Sequence, residues 1–75
     1  MNLPHHRDVP GLPTLQRGLA AQQAGRKEEA VLCYRRAIRQ NPGLAPAHFN
    51  LGQLLRERGE YAEAAICFEG AARLR

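Results

Sequence analysis

A chain of 75 residues has room for one small core and no second domain. With 44% apolar and 24% charged residues and no apolar run near the ~18 residues of a membrane span, it reads as globular, with no membrane partner and a cytoplasmic location expected. The net charge of +4, with ten of the eleven cations arginine, can steer anionic partners, while the lack of serine and tryptophan and the single threonine, Thr14, come close to excluding hydroxyl-nucleophile hydrolases.

The first thirteen residues carry three of the five prolines, Pro4, Pro10 and Pro13. Proline removes a backbone donor and disfavours helix in the residue before it, so residues 1–12 are expected to be an extended, mobile leader. Beyond it Ala, Leu, Gln, Glu and Arg dominate and no β-branched run occurs, which predicts an all-α fold. Gly25, Asn41-Pro42-Gly43 and Gly59 punctuate the helical part, because glycine takes the left-handed conformation that ends a helix and proline stops its continuation. Four helices are predicted, over 13–24, 27–40, 46–58 and 61–74. Pro13 and Pro46 fall in first turns, where proline is tolerated. The second and fourth segments place acids early (Glu28, Glu29; Glu60, Glu63) and cations late (Arg36, Arg39; Arg73, Arg75), as the helix dipole favours.

The four segments are two copies of one antiparallel helix-turn-helix unit, 13–42 and 45–75. A shift of 34 residues superposes Gly18 on Gly52, Gly25 on Gly59, Glu29 on Glu63, Ala30 on Ala64, Cys33 on Cys67, Ala37 on Ala71 and Arg39 on Arg73. Tyr34 and Phe68 match in kind, as do Leu32 and Ile66. Small residues at Gly18 and Ala30, and again at Gly52 and Ala64, predict close approach of the paired helices, with an aromatic ring filling each seam.

In its second unit the sequence resembles the tetratricopeptide repeat family through Leu51-Gly52, Leu55, Gly59, Tyr61, Ala64, Phe68 and Ala71. His48 stands where the family usually has a tryptophan or another large residue. The first unit keeps Gly18, Gly25, Ala30, Tyr34, Ala37 and Pro42 but places Thr14, Arg17 and Ala21 at the bulky positions. The resemblance covers residues 11–75. It implies a superhelix fragment that serves as a protein-binding scaffold, with a concave groove that takes an extended peptide or a partner helix. The groove residues it implies are Leu15, Gln16, Leu19, Gln22 and Gln23 in the first unit, and Phe49, Asn50, Gln53, Arg56 and Glu57 in the second. Amide side chains there suit a peptide backbone, and Leu15, Leu19 and Phe49 suit apolar side chains. Family members that clamp a terminal carboxylate use asparagine and basic groups from adjacent units. Leu15 and Leu19 cannot serve in that way, so Asn50 alone is not a clamp. Asn50 with Gln16 fits more loosely the backbone-holding asparagines of arrays like those of O-linked N-acetylglucosamine transferases.

The two ends of the array differ. Arg17 occupies the arc on which Leu51 packs, so the first unit is expected to begin the array. Ala65, Ala72 and Leu74 are expected to need cover, by a following unit or by a second copy through the C-terminal helix face. Leu32 and Ile66, in register on the outer face, are a candidate assembly patch. His5, His6 and Asp8 lack a preorganised geometry, and Cys33 and Cys67 are too few for a scaffold of disulfides or a closed zinc site, so no metal and no cofactor are expected. The cysteines are expected to be small packing residues, and His48 to substitute for an aromatic. Nothing assembles an active site, and no enzyme activity is expected. Two other readings compete with peptide binding. One is a structural or oligomerisation segment of a larger repeat-containing enzyme, such as a glycosyltransferase. The other is nucleic-acid binding through Arg35, Arg36 and Arg39, which is disfavoured because the fourth helix has Glu69 and Gly70 at the matching places.

Overall fold

The computed structural model describes residues 9–74, so the first eight residues of the expected leader, with His5, His6 and Asp8, lie outside it. Four helices follow in chain order: α1 (Leu12–Gln23), α2 (Lys27–Gln40), α3 (Ala45–Glu57) and α4 (Tyr61–Arg73). No strand occurs among the described residues. The helices pack as successive antiparallel neighbours, α1 on α2, α2 on α3 and α3 on α4, giving two stacked hairpins.

Both hairpin turns are built by the same local device. Gly25 and Gly59 take φ of +82° and +83°, the left-handed region open to glycine. Behind each, the chain closes a pair of bonds onto the last helical turn. Arg26 N–H donates to Ala21 O at 2.8 Å and Gly25 N–H to Gln22 O at 3.0 Å. Glu60 N–H donates to Leu55 O at 2.9 Å and Gly59 N–H to Arg56 O at 3.0 Å. These satisfy carbonyls that the helix end leaves without intrahelical partners.

Each seam is closed by a ring against a glycine. A Cβ on Gly18 would stand 2.5 Å from the Tyr34 ring, and one on Gly52 would stand 2.7 Å from the Phe68 ring. The side chains nearest to Gly18 are those of Tyr34 and Cys33. Ala30 and Ala64 are buried, but the room made by the glycines is filled by the aromatic itself. Tyr34 is fully buried and its Oη donates to Gln22 Oε1 at the rim, which answers the polar end of a buried ring.

One core runs through both hairpins. Leu15, Ala21, Ala30, Val31, Tyr34 and Ala37 of the first pack with Ala47, Leu51, Leu54, Leu55, Ala64 and Cys67 of the second, and Phe68 packs against them. The stack is also pinned by polar contacts. Arg35 of α2 holds Glu63 of α4 with both guanidinium nitrogens, at 2.6 and 3.3 Å. Lys27 reaches Glu57 of α3 at 3.2 Å. Asn41, between the hairpins, donates from Nδ2 to Pro10 O at 2.9 Å and accepts from Gly43 N–H at 3.1 Å, so it ties the connecting turn to the approach of α1. His48 lies over Gly70, and its Nε2 is 2.9 Å from Pro42 O. Thus the ring fills space that the absent side chain at position 70 leaves.

Candidate functional site

The second hairpin holds a cleft of about 800 Å³ between α3 and α4. Ala45, Pro46, Phe49, Asn50, Gln53 and Arg56 come to it from α3, and Phe68, Ala71 and Ala72 from α4. Phe49, Gln53 and Arg56 fall on one face because residues three and four apart in a helix are neighbours. The rings of Phe49 and Phe68 are tilted by 56° with centroids 5.7 Å apart, an edge-to-face range of contact. The Arg56 guanidinium carbon stands 5.8 Å from the Phe68 centroid, within reach of the ring's negative face. The floor is therefore aromatic and the wall carries amides and one cation. Such a cleft can bury an apolar side chain, donate to carbonyls and accept from N–H groups.

Of the residues expected to line a groove, Phe49, Asn50, Gln53 and Arg56 come together here, and Glu57 stands exposed at the end of α3. The first-unit set does not form an equivalent cleft. Leu15 is only 4% exposed and belongs to the core, so it is corrected from groove lining to packing. The reason is the stack itself: Leu15 sits at the place of Phe49 one unit earlier, and the leucines of α3 share its core. Gln22 is half-buried with its Oε1 taken by Tyr34. Gln16, Leu19 and Gln23 stay exposed along α1. Cleft residues outside that expected set are Phe68 and Ala71, expected only as packing, with Ala45, Pro46 and Ala72. The period gave no signal for Phe68, because its counterpart Tyr34 is fully buried.

A second hollow, of about 460 Å³, lies on the opposite side, lined by Arg35, Ile38, Arg39, His48, Ile66, Glu69 and Arg73 among others. Its charge is mixed, and Arg35 is committed to Glu63. The hydrogen bonds from Arg35 hold the Glu63 carboxyl below its ordinary range, and the same bond raises the guanidinium. The arginine cluster of α2 thus loses a member for phosphate contact, although Arg36 and Arg39 remain exposed. Leu32 and Ile66 stand out on the outer face at 67% and 66% exposure. Burial, and then Glu63, push the Cys67 thiol up, and both cysteines are free. Among the described residues no three His, Cys, Asp or Glu side chains gather as metal ligands, and no helix is long and apolar enough to cross a membrane.

Comparison with known proteins agrees with four helices arranged as two repeats. The model of a family described as tetratricopeptide repeat matches residues 15–75. No curated protein gives a significant match.

Proposed function

Because the chain belongs to the tetratricopeptide repeat family, whose repeats serve as protein-interaction modules, we propose that it captures a polypeptide in the cleft of its second hairpin. Phe49 and Phe68 supply the apolar anchor, Asn50 and Gln53 engage peptide amides, and Arg56 favours a carboxylate or carbonyl beside the rings. Leu19, Gln16 and Gln23 extend the contact along α1. A non-catalytic scaffold acting in the cytoplasm belongs to the same reading. The observation that supports it is the aromatic pair: Phe49 stays 48% exposed while touching the half-buried Phe68 in an amide-walled cleft. Aromatic anchors in such clefts carry a disproportionate share of binding energy.

The test is selection of binders from a random peptide display library, followed by titration against the wild type and Phe49→Ala/Asn50→Ala. Loss of at least about tenfold in affinity is expected for the double variant. Binding that the double variant leaves intact overturns the reading. Steep salt dependence together with RNA binding would favour the arginine face instead.

A further inference from the structure

We propose that the hollow between α2 and α4 is a second binding site, for an acidic segment of a partner protein that presents an aliphatic side chain flanked by carboxylates. The hollow, of about 460 Å³, shares no lining residue with the cleft and falls within the size range of ligand pockets. Its floor is apolar, from the buried Leu51 of α3 and Cys67 of α4, and its walls carry Ile38 of α2 and Ile66 of α4. Gly70 sends no side chain into it, and His48 is held by its Nε2 at Pro42 O. Ile66 is 66% exposed, so covering it is the apolar gain that a ligand realises.

The site is bounded by elements already in place, and a further unit would not close it. With the second hairpin stacked on the first, Val31 is buried and Ile38 half-buried, while Leu32, Arg36 and Arg39 stay exposed. The 34-residue shift carries Val31 and Ile38 onto Ala65 and Ala72, and Leu32, Arg36 and Arg39 onto Ile66, Gly70 and Arg73. A unit stacked on α4 in the same way would cover Ala65 and Ala72 and leave the α4 wall of the hollow open.

Charge names the occupant. Arg35 is committed to Glu63 by two bonds, so that pair offers a ligand no net charge. Arg39 and Arg73 line the same hollow, and among the described residues neither enters an ion pair or a side-chain hydrogen bond. The helix dipole favours a cation at both places but leaves the guanidinium donors unused. Two such groups beside an aliphatic floor match a segment whose carboxylates neighbour an apolar side chain. Glu69 is the one other acid of the lining, so the ligand meets one opposing charge against two favourable ones. A nucleic-acid strand is served less well, since no Phe, Tyr or Trp lines the hollow to stack a base.

The test is random peptide display on the full chain carrying Phe49→Ala/Asn50→Ala, confirmed helical by circular dichroism, so that the cleft does not select. Enriched sequences are expected to hold Leu, Ile or Val beside Asp or Glu. The most enriched one, made as a synthetic peptide, is titrated against further variants on that background. Arg39→Gln/Arg73→Gln is expected to weaken it at least about tenfold, and Ile66→Ser at least about fivefold. Glu69→Gln is expected to tighten it. The same peptide with lysine in place of its acids is expected to bind Arg39→Glu/Arg73→Glu in preference to the parent. No acidic–aliphatic enrichment, or affinity indifferent to Arg39, Arg73 and Ile66, overturns the proposal. So does polyuridine RNA that binds through the same arginines more tightly than the peptide. The cleft is decided separately, by the dependence on Phe49 and Asn50 in the chain that keeps them.

Discussion

Gly18 and Gly52 occupy equivalent places, yet they should respond differently to the same change. Alanine gains about 1 kcal/mol in helix propensity over glycine, while overpacking costs about 1–3 kcal/mol. At Gly18 the new Cβ would meet a Tyr34 ring that is fully buried and held by Gln22, so the ring has nowhere to go. At Gly52 it would meet Phe68, which borders an open cleft and can swing outward. Thermal melts should show Gly18→Ala losing about 1–2 kcal/mol, and Gly52→Ala within about 1 kcal/mol of the wild type. A larger loss for Gly52→Ala than for Gly18→Ala would contradict this account of the seams. The cysteines offer a second contrast. Cys67 is buried, and that burial raises its thiol, whereas Cys33 is half-buried beside Gly18. Alkylation at neutral pH followed by peptide mapping should label Cys33 first, with Cys67 reacting only as the fold opens. Equal rates would place Cys67 at the surface.

At the scale of elements, the strongest link between hairpins outside the core is Arg35 with Glu63. Both side chains are more than a third exposed, so the pair is expected to contribute only about 0.5–1 kcal/mol despite its bidentate geometry. Its pH dependence has a definite sign. The folded Glu63 carboxyl lies below its ordinary 4.5, chiefly because Arg35 donates to it. The contribution is therefore complete above that value and is lost as pH falls through the lowered folded one. Urea melts of Glu63→Gln should show a lower midpoint than the wild type near neutral pH, and the two should converge in acid. A gap that persists or widens at low pH would show that the loss comes from something other than the ion pair. The elements themselves were legible from glycine and proline placement. Gly25 and Gly59 announce the turns because their positive φ is what closes each helix, and α2 spans Lys27–Gln40 as read. Helix α1 begins one residue ahead of the reading, since Leu12 takes the first helical position in front of Pro13. The Arg35–Glu63 link was not legible, because it depends on how α4 lies against α2, and a repeat period does not supply that.

At the scale of the whole molecule, two nearly equivalent hairpins end up in different surroundings. The period identified which residues are equivalent, but it could not say which of them a neighbour covers. Leu15 holds the place of Phe49 one period earlier, yet it lies in the core that α3 shares, while Phe49 and Phe68 face a cleft. Helical arcs give direction, and cover comes only from the stack. On the proposed function, the pair of Phe49 and Phe68 is where a polypeptide is held. Phe49 and Phe68 are the two phenylalanines of the chain, so uniform labelling with 4-fluorophenylalanine gives a fluorine NMR spectrum of two resonances, both reporting from the cleft. Titration with library-selected peptide is predicted to shift both resonances together, saturating at the affinity measured independently. Saturating binding that leaves both resonances unmoved would contradict the claim.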